Sequence, residues 1–123
     1  MIFTKEKVNY LLKLNDGGDN DCNENFNGII SLPLILLEAK VLTDRWDQCA
    51  NHIIIHTSHS ESLKEKLKSK AKDYDDKRKY LWGIKIHLSD YIDINKGLML
   101  VLDDGGNLVH KKFPSRSVAV FPM

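Results

Sequence analysis

Apolar and polar positions alternate with a period of two through 84–88, where Ile84, Ile86 and Leu88 enclose Lys85 and His87. That alternation predicts a half-buried strand. Ile92 and Ile94 alternate in the same way with Asp93 and Asn95, and Asn95-Lys96-Gly97 supplies residues that tolerate a turn. Residues 98–102 are apolar throughout, as expected of a strand buried on both faces. Asp103-Asp104-Gly105-Gly106-Asn107 then reads as a strong turn signal. The stretch 82–104 therefore predicts a short β-meander.

Other segments fill in the architecture. In 4–14, Val8, Leu11 and Leu12 fit one face of a helix, while Val8, Tyr10, Leu12 and Leu14 fit one face of a strand, so both remain open. Residues 26–37 read as a strand bent or ended at Pro33. Leu42, Trp46, Cys49, Ala50 and Ile53 share a helical face, which predicts a helix over 38–51. The β-branched run 52–57 predicts a buried strand. Residues 58–80 carry the clearest helical pattern: Ser58 and Glu61 form a capping-box signature, and Leu63, Leu67, Ala71 and Tyr74 make one stripe. Its remaining face is mostly lysine, the pattern of a solvated amphipathic helix. Residues 108–110 and 118–121 predict one or two strands around a bend at Pro114. The sum is a single α+β domain over 1–123: a twisted antiparallel β-sheet with about two α-helices packed on it. Trp46, Leu63, Leu67, Ile84, Ile86, Leu100 and Leu102 are the expected core.

Charge and composition narrow the function classes. A net charge of +1 across 123 residues gives no electrostatic footprint for nucleic acid or a membrane surface. Arg45, Arg78 and Arg116 are the only arginines among eighteen cationic residues, and arginine is the preferred bidentate reader of phosphate. Direct nucleic-acid binding is not expected. Cys22 and Cys49 belong to no CxxC pair and are too few for a disulfide scaffold, which fits reduced thiols. The N-terminus reaches charge at Lys5 with no apolar run before it, and 32–37 is interrupted by Pro33. These features give the expectation of a cytoplasmic protein without a membrane span.

Candidate chemistry comes from three places. His56-Thr57-Ser58 and His87-Leu88-Ser89 both match H-x-S at the end of an apolar run. Two such motifs on neighbouring strands resemble a two-histidine phosphoesterase, in which each imidazole serves as acid or base and each hydroxyl binds phosphate. His52, His56 and His59 invite a zinc reading, but no further Cys or carboxylate completes the set, and no metal or other cofactor is expected. The loop 15–25 resembles a calcium loop in composition, but lacks EF-hand spacing and the closing Glu. P-loop, GxGxxG and GxSxG motifs are missing, so the residues offer no convincing catalytic set. A phage or plasmid protein that sequesters a nucleotide signal is a further alternative. It needs a pocket of aromatic and basic residues, with Trp82 and Arg116 the first to inspect.

Taken in order, several segments resemble the immunity proteins of bacterial contact-dependent growth inhibition systems. IISLPL at 29–34 is similar to that family's apolar strand ending in S-x-P-L before a helix. Asp44-Arg45-Trp46 with Ala50 and Ile53 resembles the tryptophan-bearing helix that follows. Trp82 and IDINKGLMLVLDD at 92–104 resemble the W…V-x-V-Q-N-x-L-x-F-L-[DE] region, and Phe113-Pro114-Ser115-Arg116 the short I-P-x-R-like element near the C-terminus. The lysine-rich 58–80 departs from the family, which has strands and a shorter connection there. The resemblance covers about half the chain. It implies a non-enzymatic inhibitor whose partner is the C-terminal domain of a cognate toxin, commonly a nuclease with a basic active-site surface. The acidic candidates for that contact are Asp16, Asp19, Asp21 and Glu24 in the first loop, and Asp103 and Asp104 in the later turn.

Overall fold

The computed structural model describes residues 3–14, 50–63, 65, 80–81 and 84–122. Helix α1 spans Lys5–Leu14 and strand β1 spans His52–His56. A 3-10 turn at Thr57–His59 leads into a second helix that includes residues 60–63 and 65. Strands β2 (Tyr80–Leu81), β3 (Ile84–Ser89), β4 (Lys96–Leu100) and β5 (Val118–Pro122) complete the sheet, with a second 3-10 turn at Pro114–Ser117 before β5. The architecture is α+β, as the pattern predicts.

The sheet order is β2-β3-β1-β4-β5. Three neighbouring pairs are antiparallel, but β1 and β3 run parallel. The meander predicted over 82–104 is thus corrected: β3 and β4 are not neighbours, because β1 lies between them. The cause is in the side chains. Ile53, Ile54 and Ile55 are buried on both faces of β1, so that strand needs a neighbour on each side and cover above and below. Lys85 and His87 leave β3 only partly buried on one face.

The ambiguity over 4–14 resolves as helix. Thr4 caps it, its Oγ1 accepting the Lys7 N–H at 3.2 Å. Glu6 in the first turn and Lys13 in the last complement the helix dipole. Val8 and Leu11 bury one face in a cluster with Phe3, Ile54, Leu98, Leu100 and Val118. Paired residues on adjacent strands share a face, so the opposite face carries Ile53, Ile55, Ile86, Met99 and Ala119, all buried.

Three local expectations change. Residues 92–95 form a turn, not a strand. Asp93 Oδ1 accepts the Asn95 N–H at 2.8 Å and the Asp93 carbonyl accepts the Lys96 N–H at 3.0 Å, an aspartate-organised turn that competes with strand pairing. The Ser58–Glu61 capping box gives way to a histidine cap, in which His56 Nδ1 accepts the Ser58 N–H at 3.0 Å. Residues 108–110 contribute one bridge, Leu102 to Leu108, in place of a strand. Leu63, Ile84, Ile86, Leu100 and Leu102 are buried as expected. Trp46 and Leu67, the strand over 26–37 and most of the 38–51 helix lie outside the described residues, as do 64 and 66–79 of the predicted 58–80 helix, whose last position, Tyr80, belongs to β2 instead. No helix among the described residues is long and apolar enough to cross a membrane.

Candidate functional site

Residues 90–95 link the end of β3 to the start of β4 and cross the end of β1. Within this loop Ile92 is buried in the core cluster, while Tyr91 is 54% and Ile94 46% exposed. Asp90 and Asp93 are exposed as well. Four contacts hold the loop still. Ile92 is its apolar anchor. Ser89 Oγ accepts the Tyr91 N–H at 3.1 Å, and Asp93 closes the turn as described above. Buried His59 donates its Nε2–H to the Ile94 carbonyl at 2.6 Å, tying the loop to the turn before the second helix. A fixed loop thereby displays one aromatic and one aliphatic side chain among carboxylates.

Both H-x-S motifs reach this end of the sheet. The parallel register sets His56 beside Ser89 and His87 beside Ile54, so His56 and His87 are diagonal neighbours on one face. One nitrogen of each histidine and both serine hydroxyls bond locally. His56 Nδ1 meets Ser58 Oγ at 2.8 Å as well as the Ser58 N–H. Ser89 Oγ holds the Tyr91 backbone. His87 turns to His52, with Nε2 to Nδ1 at 2.9 Å and rings stacked at 5.1 Å, and it meets the Phe3 ring in a T-shaped contact at 4.8 Å. The zinc trio is likewise dispersed, with His52 on His87, His56 on Ser58 and His59 on Ile94.

Burial, then the neighbouring His52, then Lys85 push the His87 pKa down to about 4. Burial and then Lys85 lower that of His52. The folded protein therefore holds this pair neutral where the unfolded chain protonates, and stability falls as pH drops from about 6.5 towards 4. The drop from 6.5 to about 4 sets a ceiling of about 3 kcal/mol, and partial exposure of the pair reduces the expected loss to about 1–2 kcal/mol. Urea titrations at pH 7 and pH 4.5 will show this loss, and His87→Phe will shrink it. An unchanged pH dependence in His87→Phe would remove the pair as its source.

The acidic candidates divide. Asp103 Oδ1 accepts the N–H groups of Gly105 and Asn107, both at 2.9 Å, and organises a turn in which Gly106 adopts φ 80°. Asp104 is exposed beside it. This turn follows β4, so it sits at the opposite end of the sheet from the 90–95 loop. Asp16, Asp19, Asp21, Glu24 and Trp82 lie outside the described residues, and Arg116 falls in the Pro114–Ser117 turn.

The chain matches no protein-family model, no curated protein and no solved structure. Geometry must carry the functional reading. Sequence reasoning passes over Asp90, Tyr91, Asp93 and Ile94, because the alternating pattern over 92–95 reads as strand, and it weighs His59 only as a zinc ligand. The available signal was Asp93 two residues before Asn95, the spacing of an aspartate-organised turn.

Proposed function

We propose that this protein is an immunity protein: it binds the toxic domain of a secreted effector and blocks that domain's active-site surface. The observation that carries this reading is the fixed 90–95 loop, with Tyr91 and Ile94 exposed beside Asp90 and Asp93. Binding energy at protein interfaces concentrates in a few aromatic or aliphatic anchors. Anchors held before binding lose little conformational entropy on association. Carboxylates around them complement a basic partner, steer its approach and disfavour acidic competitors. A nuclease active-site surface has that basic character. One nitrogen of each H-x-S histidine and both serine hydroxyls are engaged in local bonds, which disfavours phosphodiester chemistry there. The ordered segment resemblance to the growth-inhibition immunity family points the same way.

The proposal expects a reading frame directly upstream that encodes a large secreted effector, and the test is coexpression with the C-terminal domain of that effector. The two are expected to copurify as a stoichiometric complex, and the toxin's activity is expected to be lost in it. Absence of a complex with that domain, with both proteins folded, would sink the proposal.

A further inference from the structure

A cleft of about 510 Å³ opens between α1 and the segment that follows β4, well away from the 90–95 loop. Phe3, Leu11, Leu102, Leu108 and Pro114 give it apolar walls, and Tyr10 adds a second aromatic ring. Its polar lining is cationic or neutral: Lys7, Lys111, His110 and Asn107, with no acidic residue among the described lining residues. Lys7 is half-buried, and its Nζ is held 5.3 Å from the Phe3 ring centroid, a cation–π contact that keeps the ammonium at the cleft. His110 is the one described residue with a buried side-chain nitrogen, Nε2, that lacks a hydrogen-bond partner. Its backbone is fixed nearby, the His110 N–H donating to buried Ser117 Oγ at 2.9 Å.

We propose that this cleft is a binding site for a small organic anion with a planar apolar body. The volume suits a single small molecule, and apolar walls with a few polar groups are the usual composition of such sites. Two ammonium groups without a lining carboxylate select negative charge. The aromatic rings of Phe3 and Tyr10 favour a planar ligand. The unpartnered nitrogen of His110 is an unmet hydrogen-bonding group of the kind a bound polar ligand relieves.

The probes are anilinonaphthalene sulfonate and phenylnaphthylamine, which share the planar body and differ in the sulfonate. With the full chain, the sulfonate dye is expected to bind at one saturable site at least tenfold more tightly than the neutral dye. Its amide shift changes in ¹⁵N spectra are expected to centre on 7–11 and 106–111. The double variant Lys7→Gln/Lys111→Gln should lose about tenfold affinity for the sulfonate dye and keep its affinity for the neutral dye, which also shows that the cleft remains folded. Equal binding of the two dyes, shift changes centred elsewhere, or undiminished sulfonate binding in the double variant would overturn the proposal. None of these readouts depends on the toxin interface.

Discussion

Tyr91→Ala is expected to weaken binding of the toxin domain by about 100-fold while leaving the urea midpoint of the free protein almost unchanged. The ring is more than half exposed and sits on a loop anchored by Ile92, Asp93 and His59 rather than by Tyr91 itself. Truncating an exposed side chain away from caps and cores costs little stability, whereas removing a central aromatic anchor costs about 2–4 kcal/mol of binding. Tyr80→Ala is the matched control. Tyr80 is also exposed but lies on the edge strand beside Lys85, and its removal should leave affinity alone. Asp90→Asn and Asp93→Asn test the electrostatic half of the argument. Asparagine can still organise the 93–95 turn, so these variants should slow association and flatten its salt dependence more than they speed dissociation. Titration calorimetry and stopped-flow association measure the two effects. Full affinity in Tyr91→Ala would remove the loop from the interface.

Asn51→Ala is expected to be the most damaging polar substitution among the described residues, at about 3 kcal/mol. Asn51 stands just before β1 and extends the sheet with its side chain. Nδ2–H donates to the Leu102 carbonyl at 2.7 Å, and Oδ1 accepts the Leu102 N–H at 2.9 Å. Its backbone bridges both neighbours of β1, the N–H donating to the Leu100 carbonyl and the carbonyl accepting the Lys85 N–H. Leu102 is only 5% exposed, so truncation strands a donor and an acceptor at about 1–3 kcal/mol each, partly relieved by entering water. Asn51→Asp keeps the acceptor but sets an anionic oxygen against the Leu102 carbonyl, and should be at least as unstable at neutral pH. Urea unfolding monitored by circular dichroism measures both. A loss below about 1 kcal/mol in Asn51→Ala would mean that water replaces the amide.

Much of the strand content was legible because strands write their burial into a short period. His52–His56 carries three adjacent isoleucines and 98–102 has no polar position, and both are central in the sheet. The polar alternation of 84–88 marks a strand with one wetter face, which is what Lys85 and His87 give β3. Periodicity failed where two periods coincide. In 4–14 helix and strand templates matched equally, and the Thr4 cap with burial of Val8 and Leu11 decided for helix. At 92–95 a strand-like alternation was overridden by the Asp93 turn.

The order of residues determined the apolar segments, the turn at 103–107, the ordinary charge balance and the positions of both H-x-S motifs. Tertiary structure alone decided the rest. Strand order is a property of long-range pairing, so the placement of β1 between β3 and β4 could not be read from adjacency in the chain. That placement brings His52 onto His87 and closes the Asn51 amide onto Leu102, partners 35 and 51 positions apart. It also leaves Tyr91 and Ile94 at the sheet's end with their backbone held by Ser89 and His59. Local preference sets which residues seek burial, but only packing decides which apolar side chains are left outside to meet a partner.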